Sequence, residues 1–237
     1  MSVASDTIAL MKKPLKPARE NISPSDLTFG LSTCKRCLWV KYWYKVTAPM
    51  VMPLVGTFSS LQEEYFQNAD MPSIDPSLRP GKVTKWGEFV KSKPIQVNGQ
   101  DTRWRILGKY DLVSTNDDGT AGLIDCKVSD SERDSGAFYS PQLEAYAFAL
   151  ENPAAGKSVE VASMGLLVWK PTHTVGDSPA NAGFGVYQKY VPVERDHDNF
   201  MSVIADFITV LEGDIPDAGS TCQTCAFLTT RNALDLL

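Results

Sequence analysis

The clearest change of rhythm along the chain lies after Thr102, where "TRWRILGKYDLVST" and "TAGLIDCKVSD" flank the turn sequence "NDDG" and read as the two strands of a hairpin. In the second strand, Ile124, Cys126 and Val128 alternate with Asp125 and Lys127, so one face is apolar and the other charged. Helical spacing governs the neighbouring segments. "GTFSSLQEEYFQNA" sets Phe58, Leu61, Tyr65 and Phe66 on an apolar stripe with Glu63 and Glu64 beside it. "FYSPQLEAYAFALE" predicts a helix with Leu143, Tyr146, Ala147 and Leu150 inward. The strands "VASMGLLVWKP" and "GFGVYQKYVPV" precede an amphipathic helix carrying Phe200, Val203, Ile204, Phe207, Ile208 and Leu211. Nearer the start, "ISPSDLTFGLSTCKRCLWVKYWYKV" opens a helix with Ser23 or Ser25 as cap and Pro24 in its first turn. "PSLRPGKVTKWGEFVKSKPIQVNGQ" is rich in turn residues and basic side chains. Helices, hairpin, helix, strands, helix: this order predicts a mixed α/β domain around a sheet, with no internal repeat.

Composition narrows the class. A chain of 237 residues, 43% hydrophobic and 22% charged, buries a core without disulfides. Residues 1–21, rich in Lys, Pro and Ser, read as a flexible arm, and residues 22–237 as a single domain. No apolar run reaches the ~18 residues of a membrane span and no secretory signal is legible, so the expected location is the cytoplasm. The net charge of -5 hides an asymmetry: residues 1–109 hold 16 Lys and Arg against 9 Asp and Glu, and residues 110–237 hold 7 against 19. A basic first half suits a polyanion and an acidic second half suits cations; the same runs also occur as ordinary solvated faces. Trp39, Tyr42, Trp43 and Tyr44, interleaved with Lys41 and Lys45, are a helix packed on a core or a base-stacking surface.

Four of the five cysteines form two pairs, Cys34 and Cys37 in "CKRC" and Cys222 and Cys225 in "CQTC". Two such pairs complete a tetrahedral zinc site or an iron–sulfur cluster; a redox dithiol is the alternative, although neither pair opens a thioredoxin-like βαβ unit. Asp111, near the end of the first hairpin strand, and Asp125 with Lys127 on its partner can meet at one patch of sheet. Two carboxylates and an ammonium suit a hydrolase that uses Mg²⁺ or Mn²⁺, and they also suit a plain ion pair. His173 and His197, among polar neighbours, make neither a catalytic base nor a ligand, which excludes a serine or cysteine triad. No phosphate loop is present, which excludes a nucleotide-driven motor. Cys126 packs in the core, with its carbonyl within reach of a metal.

Taken in series, "GKYDLV", "LIDCKVS" and "YSPQLEAYAFALE" resemble the active-site motifs of the PD-(D/E)xK nuclease superfamily, in particular its RecB-like branch, which includes CRISPR-associated adaptation exonucleases and exonuclease V. The resemblance spans about Ile22 to Phe227. It implies a restriction-endonuclease-like mixed central sheet flanked by helices, its terminal segments clamped by a four-cysteine metal centre. It matches Asp111 and Asp125 to metal-binding acids, Lys127 to the catalytic lysine, and Gln142 and Tyr146 to the Q-x-x-x-Y helix. It implies a Mg²⁺- or Mn²⁺-dependent deoxyribonuclease, an exonuclease on single-stranded or unwound DNA in repair, recombination or defence, with a helicase as a possible partner. The alternative is a non-catalytic nucleic-acid-binding subunit with the same fold. The branch often places a His four residues after a helical Gly; Ser60 stands there, leaving Glu64 as the expected acid from that helix. Cluster-bearing relatives divide their cysteines one and three, whereas this chain divides them two and two. Spacing alone favours zinc, the resemblance implies a 4Fe–4S cluster, and the cluster is the expectation carried forward.

Overall fold

A computed structural model describes residues 13–48, 54–129 and 136–234. At its centre lies strand β8 (Ala121–Val128), whose apolar run is buried on both faces because helices and loops cover the sheet from either side. β7 (Leu112–Asn116) pairs with it antiparallel, with Leu112 opposite Ile124, and β9 (Val161–Val175) pairs with it parallel. β10 (Gly183–Val193) and β2 (Gly81–Trp86) extend the two edges, giving the order β10-β9-β8-β7-β2. The parallel pair requires a crossover, and α5 (Gly136–Glu151) supplies it. A smaller sheet sets β6 (Arg105–Lys109) between β1 (Asn21–Ile22) and β3 (Phe89–Lys91); β4 (Gln96–Val97) and β5 (Gln100–Asp101) form a separate hairpin turned at Asn98-Gly99.

Two apolar clusters cover the two faces of the central sheet. The larger joins Leu123 and Leu166 to Leu143 and Tyr146 of α5, to Phe200, Ile204 and Phe207 of α6 (His197–Glu212), and to Leu27 and Tyr42 of α1 (Pro24–Thr33) and α2 (Lys35–Tyr44). The smaller joins Ile124, Cys126, Leu112 and Leu167 to Phe66, which follows α3 (Val55–Tyr65), and to Met71 and Ile74 of α4 (Met71–Ile74). α6 starts as its sequence demands, with the Asp196 carboxylate accepting from the Asn199 N–H at 3.0 Å. The mixed α/β architecture, the hairpin turn and the buried faces of α5 and α6 match the sequence expectation.

Several local expectations change. "TRWRILGKYDLVST" is two strands in two sheets, because the chain crosses over at Tyr110 and Asp111, where the Tyr110 N–H donates to the Glu88 carbonyl and the Gly87 N–H to that of Asp111. Asp111 therefore precedes the first hairpin strand rather than closing it. The turn-rich basic stretch forms β2 to β5. Trp39, Tyr42 and Trp43 are buried, which makes the aromatic stretch of α2 a core face. Residues 1–12 of the expected arm lie outside the described residues; in its remainder Leu15 is exposed, while the Lys13 ammonium donates to the carbonyls of Leu211, Glu212 and Gly213, a cation at a helix C-terminus. Finally, α3 is turned over. Leu61 and Tyr65 are exposed, while Gln62 and Glu63 are buried.

Candidate active site and four-cysteine centre

Alternation along β8 decides which side chains meet. Leu123, Asp125 and Lys127 share the face under α5, so the acid and the lysine continue an apolar row toward the less buried end of β8. Asp125 is buried, with one carboxylate oxygen accepting from Gln142 Nε2 at 2.8 Å and the other 2.5 Å from Lys127 Nζ. Lys127 also lies over the Tyr139 ring, 4.6 Å from its centroid. Asp111, just before β7, reaches the next residue of β8 and accepts from the Cys126 N–H at 2.6 Å. Tyr146, one turn beyond Gln142, donates to the Lys109 carbonyl at 2.7 Å and holds the end of β6 against α5. The approach is close enough that a Cβ on Gly108 would lie 2.7–2.8 Å from Pro24 and from the Tyr146 ring.

Of the two acids on α3, Glu63 and not Glu64 is turned toward Asp111. Glu63 is buried and paired with Lys109 Nζ at 2.9 Å, and its charge acts on both Asp111 and Cys126; Glu64 faces solvent. The expectation of Glu64 rests on the resemblance, and the apolar stripe, with Leu61 and Tyr65 taken as inward, does not distinguish the two acids beside it. No local signal separates the two acids, since each stands four residues after a serine; only in the fold does the Ser59 hydroxyl donate to Glu63, at 3.2 Å. Cys126 points away into the smaller core, where burial and the nearby Asp111 and Asp125 push its thiol well above the usual range, leaving it unreactive. Part of the positive charge of the first half is paired internally, through Lys41 and Arg19 with Asp26, Lys82 with Asp70, and Lys109 with Glu63.

The electrostatics suit a cation. Burial, then the Asp125 charge, raise the Asp111 carboxyl from 3.8 to about 7, and burial raises Asp125 as well despite Lys127 and Gln142. Burial would strip the Lys127 proton, but Asp125 and Asp111 outweigh it and keep the ammonium charged. Asp125 Oδ2, although against that ammonium, makes no directed hydrogen bond, and neither does Gln142 Oε1. Two crowded carboxylates with a buried lone pair to spare fit a hard divalent ion. One consequence concerns stability. In metal-free protein Asp111 is protonated in the fold but ionised in the unfolded chain between pH 4 and 7, so stability falls as pH rises across that window. Asp111→Asn is therefore expected to raise the melting temperature of metal-free protein at pH 8, on the order of 5 °C, and to abolish the further rise that Mg²⁺ or Mn²⁺ gives the wild type. Thermal scans with and without EDTA check both.

At the other end of the chain's path, each cysteine pair straddles a helix start. Cys34 precedes α2 with Cys37 in its first turn; Cys222 precedes α7 (Gln223–Leu234) with Cys225 in its first turn. Helix N-termini favour thiolates. The four sulfurs lie within 4.8 Å of one another, with Cys34–Cys225 at 3.8 Å, Cys37–Cys222 at 3.7 Å and Cys37–Cys225 at 3.6 Å. Burial would raise Cys34, but the N–H groups of Cys37 and Gly219 draw it down to about 7; burial and the neighbouring sulfurs raise Cys37. Four thiolates at one point need a cation to ionise together, and this cluster could bind a metal ion. α7 buries none of its own residues, so these cysteines are its principal anchor.

With this geometry in hand, comparison with known proteins gives the class. The profile of the PD-(D/E)XK nuclease superfamily matches residues 57–230, and the chain belongs to that superfamily. Among solved structures, the crystal structure of SSO0001 is similar at 16% identity, covering 90% of this chain and 83% of that one, with a TM-score of 0.46. No curated protein sequence matches this chain. Among the described residues no helix is long and apolar enough to cross a membrane.

Proposed function

We propose that the protein is a deoxyribonuclease dependent on Mg²⁺ or Mn²⁺ that hydrolyses phosphodiester bonds in single-stranded or unwound DNA. The observation that carries this reading is the meeting of Asp111, Asp125 and Lys127 with Gln142 and Tyr146 along β8 and the start of β7. Asp111 and Asp125 would hold the metal, with the Cys126 carbonyl at hand and Glu63 at the outer side. The ion, when bound, lowers the pKa of a water and offsets charge on the phosphate. The chain's own residues do the rest. Gln142 fixes the Asp125 rotamer through Nε2, so that one carboxylate oxygen is committed to the amide and the other faces the Lys127 ammonium. Lys127, charged and braced by Asp125 and the Tyr139 ring, presents an ammonium that orients the attacking water and meets developing negative charge. Tyr146 locks β6 to α5, keeping the crossover at Asp111 in place.

The RecB-like branch and a role in repair, recombination or defence are part of this proposal, supported by the order of the motifs and by terminal cysteines that meet. For the centre they form we favour one Zn²⁺. Four thiolates on a single tetrahedral ion with bonds of about 2.3 Å have sulfurs about 3.8 Å apart, whereas thiolates on the four corners of a 4Fe–4S cube stand roughly 6 Å apart. Three of the six sulfur separations are 3.6–3.8 Å and all six lie within 4.8 Å, which supports the single ion over the cluster that the resemblance implied.

Digestion of end-labelled single-stranded and duplex DNA tests the reading. Product is expected with Mg²⁺ or Mn²⁺ and none in EDTA. Binding of DNA with no hydrolysis under any divalent ion would instead support the non-catalytic subunit. Within the same assay, Glu63→Gln is expected to raise the Mg²⁺ concentration for half-maximal rate several-fold, on the scale of one outer charge near a metal site, and Glu64→Gln to leave it unchanged.

A further inference from the structure

Beside Lys127 stands an aromatic cluster whose two phenylalanines the chemistry above does not use. Phe29 of α1 and Phe138 of α5 meet edge to face at 5.3 Å, and Tyr139 joins them at 6.1 Å and 5.1 Å. Phe29 and Phe138 are each 47% exposed, so about half of each ring faces water while the rest is braced by its neighbours. These two residues come from helices far apart in sequence and converge at one place, next to the ring that carries the Lys127 ammonium. Isolated exposed apolar side chains are ordinary; three rings packed together, one of them under the Lys127 ammonium, mark a surface suited to a partner.

We propose that Phe29 and Phe138, supported by Tyr139, form a base-stacking platform that receives an unpaired nucleotide adjoining the phosphate held at Lys127. This rests on the nuclease reading and names the residues that would select strands with free base faces. A strand whose phosphate lies at Lys127 must pass its flanking base within a nucleotide's length of these rings, since Tyr139 touches both the ammonium and the two phenylalanines. Stacking accepts any base, because every base has a π-face, and in a duplex those faces are already covered by neighbouring pairs. The platform thus gives strand selection without sequence selection. Tyr139 serves as the hinge of the arrangement, holding Lys127 on one side and the rings on the other.

The test is equilibrium binding of a fluorescent single-stranded oligonucleotide, with Ca²⁺ replacing Mg²⁺ to suppress hydrolysis, alongside the same strand with abasic positions and a blunt duplex. Wild type is expected to bind the abasic strand more weakly than the normal one by roughly 5- to 150-fold, the range for losing one stacked base. Phe29→Ala with Phe138→Ala should lose a similar factor on the normal strand, lose nothing further on the abasic strand, and bind the duplex as wild type does. Phe138→Trp should restore affinity, which separates stacking from a folding defect. Equal affinity of wild type for normal and abasic strands would overturn the platform without need of any variant, and so would an equal loss by the double variant on all three ligands. Base-dependent binding without cleavage would remove the hydrolase reading and keep the platform; cleavage without base dependence would do the reverse.

Discussion

Lys127→Met is expected to slow DNA cleavage by roughly 10²- to 10⁴-fold, the contribution of a positioned proton-handling or charge-stabilising group, while divalent-ion binding survives. The ammonium is 2.5 Å from Asp125 but is no metal ligand, so its removal takes charge from the transition state and leaves both carboxylates. The same variant separates a catalytic lysine from a structural one. Removing the partner of a buried carboxylate destabilises the metal-free fold, by about 3–5 kcal/mol for a broken buried pair. A divalent ion at Asp111 and Asp125 would replace that lost charge. Thermal scans of Lys127→Met should therefore show a deep loss of stability in EDTA that Mg²⁺ or Mn²⁺ largely reverses, with the rate still depressed. Stability restored together with a wild-type rate would reduce Lys127 to a structural ion pair.

The second large effect concerns the cysteines. Cys222→Ser with Cys225→Ser is expected to remove one bound zinc per chain and to lower the melting temperature by about 10 °C or more, because thiolate-bound metal contributes several kcal/mol of folding free energy. The loss should be local in origin. α7 has no buried residue of its own, so brief proteolysis of the variant should cut within residues 219–234 before it touches the central sheet. Elemental analysis and the visible spectrum of protein purified without oxygen identify the metal: colourless protein with one zinc is expected. A brown preparation with about four irons per chain would contradict the single-ion reading that the 3.6–3.8 Å sulfur separations support.

What the sequence made legible follows from which distances are short along the chain. Asp125 and Lys127 lie two residues apart, and strand alternation alone puts them on one face; Gln142 and Tyr146 lie four apart, and helical spacing does the same. The cysteine pairs are equally local, although only the fold brings the two halves, 185 or more residues apart, to one point. Asp111 was harder. The run around it reads as one continuous strand, and the crossover between sheets depends on bonds from Gly87 and Tyr110 that no local pattern announces. The reversal of α3 shows the limit of a periodicity argument. A stripe reveals that a helix has two faces, and burial of Gln62 and Glu63 against the site, with Leu61 and Tyr65 outward, inverts the usual choice between them. Phe29 and Phe138 carried no signal at all, because a platform made from two helices exists only after they pack.

The central claim is that Asp111, Asp125 and Lys127 act together on DNA, and one measurement addresses it most directly. Single-stranded DNA labelled at either end is incubated with Mn²⁺ and with equal amounts of wild type or Asp125→Asn, prepared in parallel. Asp125→Asn keeps the shape of the side chain and its contact with Gln142 while removing the charge that would hold the metal. The account predicts shortening of the labelled strand by wild type and a rate at least about 10³-fold lower for the variant, with both proteins folded. Equal cleavage by the two proteins would contradict it.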